Sequence, residues 1–387
     1  MTEGAAGEGT LEHPLRILQL HRTFALGGKE ARLVRLMNHW GGRVTHDILL
    51  GETGATGALA ALDPAVSVRF LTEPELNAPV SLAKFSALAN LMRDYDLVLS
   101  FNWGAMDGVV AHWLFRLIKR LPPLVHHEDG LGADKAFVRH VARDRYRQFA
   151  LRGAEGLVVP SNHLAHIAQT EWHQKAEKVH LVPNGIDVAA YQGRRPPSAI
   201  PGLTSDGRLV VGTVAQLRPA KNLCRLVRAV APLKDRLRLV IVGDGEEREA
   251  IRAEAAAQGM TDVVMPGTLP RPEDYIGAFE IFALSSDSEQ FPVSVMEAMA
   301  AGLPVISTDV GDVMGMVAPD NRRFIVEPDD TAAFRKALDV LTQDAGLRRG
   351  LGEANRERAK RCFDQAVMIE LYGRIYGEAT GKELAFF

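Results

Sequence analysis

The sequence predicts an α/β protein built from two doubly wound parallel-sheet domains. Three observations lead there. Its 387 residues exceed the ~100–200 that one core usually organises. Short β-branched runs alternate with longer helical stretches along nearly the whole chain, the pattern of parallel strands covered by helices on both faces. One interruption between Asp187 and Asp206, rich in Pro and small polar residues and lacking periodicity, divides that rhythm in two.

The elements follow in order. Met1 to His13 is rich in Gly, Ala and Glu and lacks the basic start and apolar stretch of a secretory signal. Residues 1–13 are therefore expected to form a loose tail. Strands are expected at Leu15–Leu20, Thr45–Leu50, Val66–Leu71, Asp96–Phe101, Pro123–His127, Gly156–Pro160 and Val179–Pro183, defining a first domain over 14–187. A linker is expected over 188–206. The rhythm restarts at Leu209–Thr213, Leu237–Val242, Asp262–Met265, Ile281–Ser285, Pro304–Thr308 and Phe324–Val326, a second domain over 207–364. Gln365–Gly377 reads as a terminal helix within a last segment, 365–387.

Composition narrows the function. Forty-five Lys and Arg against 48 Asp and Glu leave a net charge of −3, so no global field draws the chain to nucleic acid or to an anionic membrane. Any anion site must be local. The two cysteines, Cys224 and Cys362, have neither metal-ligand spacing nor a disulfide framework, which points to a reducing, cytoplasmic setting. No apolar run approaches the ~18–20 residues that span a bilayer, so any membrane contact is expected to be peripheral, at the inner face. The one basic stretch, Arg139–Arg147, suits anionic headgroups, but interspersed Arg on a solvated helix explains it as well.

Ligands of open α/β sheets bind outside the carboxyl ends of the strands, so the loops after strands are where chemistry is expected. The first strand is followed by Gly27-Gly28 and then a helix over Ala31–Trp40. Two glycines let a ligand approach the backbone, and the helix start favours an anion; a plain tight turn needs the same residues. Gly243-Asp244-Gly245 is equally ambiguous. Arg218 and Lys221 stand at the end of the second domain's first strand, supplying the fork and the point charge that a diphosphate requires.

The richest stretch runs from Ser285 to Ser307. Pro292 fits the first turn of a helix and Gly302 its end, so Phe291, Pro292 and Val293 open the helix and the amides around Phe291–Ser294 mark an anion-binding start. Glu289 precedes that helix and Glu297 lies on its second turn, two carboxylates able to accept hydroxyls from different groups of one ligand. Asp94 and Asp96 read as solvated carboxylates at a helix-strand junction, and no metal site is expected.

Glu289-x7-Glu297 followed by Ala-Met-Ala-Ala-Gly-Leu-Pro-Val-Ile, with Gln216-Leu-Arg-Pro-Ala-Lys-Asn, Val242-Gly-Asp-Gly and Val182-Pro-Asn-Gly-Ile-Asp upstream, resembles the retaining glycosyltransferases of family 4. The resemblance runs from about Leu15 to Tyr376. It implies a GT-B fold: two Rossmann-like domains facing across a cleft, the first binding acceptor and the second nucleotide sugar, with the C-terminal helix crossing back to the first. It implies transfer of a sugar from a nucleoside-diphosphate donor to an acceptor hydroxyl with retained anomeric configuration, commonly in polysaccharide or glycolipid synthesis. By position, Lys221 corresponds to the family's diphosphate-binding lysine, Glu289 to the acid near the donor sugar, and Glu297 to the acid on the ribose. Gly28 falls on the glycine loop near the donor phosphate, and Thr268 and Leu269 fall on the loop touching the base. Charge on the leaving diphosphate would be met by Lys221, Arg218, the Gly27–Gly28 amides and the helix start, with neither metal nor other cofactor.

Two positions depart from the family pattern. Gln216 stands where an arginine is usual, with Arg218 two residues on as its expected substitute. Asp129 stands where many relatives have a histidine, with His126 and His127 just upstream; Asp129 or His127 is expected to position the sugar or acceptor. These departures frame one alternative, a nucleotide-sugar-binding protein that keeps the fold without activity; a second alternative is a nucleotide-sugar epimerase on the same fold.

Overall fold

The computed structural model describes residues 13–25, 28–52, 54, 56–130, 141–383 and 386. The chain forms two compact units: residues up to Val182 together with those from Met368, and Pro183–Val367.

The first unit holds seven strands, β1 (Leu15–His21), β2 (Val44–Leu50), β3 (Ser67–Leu71), β4 (Leu97–Phe101), β5 (Leu124–His127), β6 (Gly156–Val159) and β7 (Val179–Leu181). They lie in the order β3-β2-β1-β4-β5-β6-β7 and pair in parallel throughout. Its helices are α1 (Gly28–Trp40), α2 (Leu82–Met92), α3 (Met106–Lys119), α4 (Val141–Ala150) and α5 (Asn162–Thr170). All five residues of β4 are buried, as a central parallel strand covered on both faces requires.

The second unit holds six, β8 (Leu209–Val214), β9 (Leu237–Val242), β10 (Val264–Gly267), β11 (Ile281–Leu284), β12 (Val305–Thr308) and β13 (Ile325–Val326), in the order β10-β9-β8-β11-β12-β13. Its helices are α6 (Leu223–Val230), α7 (Arg248–Ala257), α8 (Val293–Ala300), α9 (Val313–Met316), α10 (Thr331–Gln343) and α11 (Ala345–Cys362). A last helix, α12 (Gln365–Thr380), carries the chain back into the first unit.

Each sheet has apolar side chains packed on both faces. In the first unit Leu33, Met37 and Trp40 of α1 join Tyr372 and Tyr376 of α12 on one face, and Leu88, Val109 and Leu164 pack on the other. In the second, Val295 and Met299 of α8 lie on one face, and Leu226, Ile251 and Phe334 on the other. Strand order reverses between β1 and β4 and between β8 and β11, so the flanking connections leave on opposite faces and open a crevice at each place.

Two expectations need correction. Residues 188–206 are not a linker: Val188, Tyr191, Ile200 and Leu203 are buried in the core of the second unit. The stretch contains 3-10 turns at Val188–Tyr191 and Pro197–Ala199, whose apolar residues follow neither helical nor strand period. The third strand of the second unit is Val264–Gly267 rather than Asp262–Met265; the Asp262 side chain before it is held by Arg208 and by Arg238 at 2.9 Å.

Candidate active site

The crevice of the second unit lies between the loop after β8 and the loop after β11. Gly243 and Gly245 seat the first of these: a Cβ on Gly243 would come within 1.8 Å of the Ala215 carbonyl, and one on Gly245 within 2.5 Å of that of Leu217. The Gly-Asp-Gly motif is thus a backbone-to-backbone packing device. The chain then makes a 3-10 turn, Pro219–Lys221, and Asn222, at φ 41°, caps α6 by accepting from the Arg225 amide. Three bonds stitch the loops together: the Asp287 amide donates to the Ala220 carbonyl at 2.8 Å, the Ser285 hydroxyl to the Lys221 carbonyl at 3.0 Å, and Asn222 Nδ2 to the Asp287 carboxylate at 3.1 Å.

That scaffold brings Lys221 Nζ to 2.5 Å from Glu289 Oε1, and the Ser286 hydroxyl donates to the same oxygen at 2.7 Å. The lysine side chain stays 25% exposed and the glutamate 11%. An ammonium has three donors, so the pair can still meet an incoming phosphate. Pro292 is the N-cap of α8 and is buried, Phe291 is half-buried edge-on against Phe363, and Val293 is exposed. Glu297, on α8, accepts from the Tyr191 hydroxyl at 3.2 Å. Burial and then the Glu297 charge raise the pKa of the nearby Tyr275 phenol. Thr268 and Leu269 follow β10, the first exposed and the second half-buried against the core. Gln216 and Arg218 are both exposed, and no side-chain partner engages Arg218 among the described residues.

In the first unit, Gly27 lies outside the described residues. Gly28 opens α1, and a Cβ there would meet nothing within 4 Å. Asp129 accepts from Arg32 at 2.6 Å, and its amide donates to Asn102 Oδ1 at 2.7 Å. Burial alone would raise the Asp129 carboxyl, but the Arg32 guanidinium outweighs it and holds the group below the usual carboxylate range. Of the four ionisable residues 126–129, His126, His127 and Glu128 are buried. His127, expected beside Asp129 as a group positioning the sugar or acceptor, is therefore packed in the core. His127 sits near the Ser100 carbonyl through Nδ1 (3.2 Å) and near the Tyr376 hydroxyl through Nε2 (2.7 Å), which fixes Nδ1 as donor and Nε2 as acceptor. Burial and then the Arg32 charge lower its pKa to about 3. Glu128 is bound by Arg147 at 2.9 Å, so the basic stretch on α4 is not simply a solvated face.

Sequence reasoning missed a buried polar chain beside this turn. Lys29 Nζ lies 3.3 Å from His21 Nδ1, His21 Nε2 lies 3.0 Å from Gln19 Oε1, and Gln19 Nε2 lies 3.0 Å from His46 Nδ1. An ammonium can only donate, so His21 carries its proton on Nε2 and the chain has one direction. Lys29 also pairs with Glu30 at 2.9 Å. Polar residues at alternating strand positions facing α1 were the available signal. Among the described residues no cluster of three or more His, Cys, Asp or Glu is placed to hold a metal ion, and no helix is long and apolar enough to cross a membrane.

Comparison with known proteins agrees with this architecture. Residues 26–190 match the family described as Glycosyltransferase Family 4, and residues 200–358 match Glycosyl transferases group 1. The chain is 26% identical over 340 residues to the D-inositol 3-phosphate glycosyltransferase of Kribbella flavida, covering 80% of each. It is 33% identical over 172 residues to EpsF of Bacillus subtilis, a proposed glycosyltransferase, covering 42% of this chain and less than half, 44%, of that protein. Its fold is similar to that of Anabaena HepE solved with UDP, with TM-score 0.79 at 20% identity over 94% of this chain and 100% of that one. The chain belongs to the family 4, group 1 glycosyltransferases and has their GT-B fold.

Proposed function

We propose that the chain moves a sugar from a nucleoside-diphosphate sugar to an acceptor hydroxyl with retention of anomeric configuration, in the synthesis of a polysaccharide or glycolipid. The observation that carries this is the Lys221–Glu289 pair at the crevice of the second unit, 2.5 Å apart on loops cross-linked to each other. Lys221 and the exposed Arg218 meet the diphosphate, with the Phe291 and Val293 amides on either side of Pro292 at the α8 start adding donors. Glu289 takes a donor-sugar hydroxyl, Glu297 with Tyr191 the ribose, and Thr268 and Leu269 the base. The open space at Gly28 admits a phosphate oxygen to the backbone. In the reaction the anomeric carbon–phosphate oxygen bond breaks, the bond to the acceptor oxygen forms on the same face, and the acceptor proton goes to the leaving phosphate. Asp129 positions the reacting sugar or acceptor, and His127 orders the turn that carries it.

The negative charge of the leaving group is met by side-chain and backbone donors without a metal ion. The unpaired Cys224 and Cys362 suit a reducing cytoplasm, with any membrane contact peripheral. The test is a panel of UDP-, GDP- and ADP-sugars, read by thermal shift and by nucleoside diphosphate released with and without EDTA. One donor is expected to raise the melting temperature and to be turned over in both conditions, with the product's anomeric signal matching the donor's by NMR. Binding without turnover for every donor and acceptor mixture would favour a protein without activity, and no binding at all would end the proposal.

A further inference from the structure

The first unit has its own crevice where strand order reverses, and a groove of about 480 Å³ lies there. Its lining comes from the loops that follow β1, β2 and β4: Arg22, Glu52 and Trp103, with Asn77, Asp107 and Tyr146 completing the polar wall. These loops are tied together. The Gly51 and Glu52 amides donate to the His21 and Arg22 carbonyls at 2.8 and 2.9 Å, and Asn77 Nδ2 donates to the Gly51 carbonyl at 2.6 Å. Gly104 lets the turn after β4 close on Arg22, since a Cβ there would sit 2.5 Å from that of Arg22.

Charge within the groove is cancelled pair by pair. Arg22 Nε donates to Glu52 at 2.7 Å, both side chains well exposed at 69% and 45%. Asp107 is matched by the buried Lys84 at 2.6 Å and also accepts from the Tyr146 hydroxyl at 2.8 Å. What remains is carboxylate, amide and phenol oxygen beside an apolar wall of Leu76, Val80 and Met106. Such a surface offers several acceptors for hydroxyl groups, apolar cover for ring C–H faces, and, among its lining residues, no uncompensated cation for a phosphate.

We infer that this groove is a binding site for a neutral sugar ring of the acceptor, and that it selects against phosphorylated polyols. The inference rests on the transferase reading only for the word acceptor. The groove's preference for uncharged polyhydroxyl ligands is a separate claim about the first unit.

The experiment uses the full chain and matched probes: glucose against glucose 6-phosphate, mannose against mannose 6-phosphate, and myo-inositol against myo-inositol 1-phosphate, each titrated by saturation-transfer NMR. At least one neutral member is expected to bind more tightly than its phosphorylated partner. Glu52→Gln removes a carboxylate and leaves Arg22 uncompensated, so it should weaken that neutral sugar about fivefold to tenfold and tighten the phosphorylated partner. Arg22→Gln should not tighten the phosphorylated probes. Both replaced groups are exposed, and exposed ion pairs add little to folding, so melting curves of the two variants serve as the folding control. Absence of neutral-sugar binding, preference for the phosphorylated member, or unchanged affinity in Glu52→Gln would overturn the assignment. Nucleotide-sugar turnover by the unaltered chain is read in a separate arm. Sugar binding as described with no donor turned over would remove the transferase reading and leave the groove standing, whereas donor turnover with an inert groove would do the reverse.

Discussion

The hydroxyl of Tyr376 donates to Nε2 of His127 across 2.7 Å, joining helix α12 to the end of β5 with both residues buried. Tyr376→Phe keeps the ring and strands the imidazole lone pair where water cannot reach it. Unfolding in urea should lose about 1–3 kcal/mol. An unchanged midpoint would show that the bond contributes nothing.

Lys221 is the cation fixed between the two crevice loops of the second unit. Lys221→Ala should lower turnover of the donor by about 10²-fold or more, the scale of losing one charge-stabilising donor. Lys221→Arg should restore little, because a planar fork cannot occupy the position of a compact ammonium 2.5 Å from Glu289. Nucleoside diphosphate release under saturating donor is the measurement.

Arg218 lies two residues beyond Gln216 and is exposed without a side-chain partner among the described residues. If it supplies the charge that Gln216 lacks, Arg218→Ala should cost about tenfold or more in turnover, while Gln216→Ala should cost little. A silent Arg218→Ala would end the idea of compensation.

Stability should depend on pH through buried neutral histidines. Burial depresses both His46 and His127 to about 3, whereas in the unfolded chain they titrate near 6.5. Between these values the unfolded state binds more protons, so stability falls as pH descends, by about 1.4 kcal/mol per pH unit for each histidine. Asp129 adds its loss only at lower pH, as the pH falls below the ordinary carboxylate value toward its own depressed one. The buried His21 is lowered well below its usual value too, by burial and then by the Lys29 charge, so urea unfolding from pH 7 to 4 should show uptake of at least about three protons, and a flat profile would contradict the buried neutral assignment.

Gly243→Ala should be poorly tolerated. Its Cβ would overlap the Ala215 carbonyl at 1.8 Å, and φ is 138°. Folding yield and melting temperature should both drop, whereas Gly28→Ala, with nothing within 4 Å, should melt close to the parent.

The strands were legible because a parallel strand covered on both faces is a short apolar run whatever its neighbours. Pro292 and Gly302 marked the limits of α8 for an equally local reason, the fixed or positive φ that each accommodates. Lys221 and Glu289 could be singled out individually, but 68 residues separate them, and their meeting depends on β8 and β11 lying side by side. Residues 188–206 misled because irregular turns bury side chains without periodicity. His127 misled because charge in the sequence does not reveal that Ser100 and Tyr376 occupy both of its nitrogens.

The first unit takes its last core residues from beyond the second: Met368, Tyr372 and Tyr376 pack with Leu33, Met37 and Trp40. On the ribosome, therefore, the amino-terminal sheet emerges first yet waits for the whole intervening unit to be translated before one of its faces can close. A premature stop just before Met368 would spare every residue of the second unit's crevice and still unmake the half of the protein that was synthesised first.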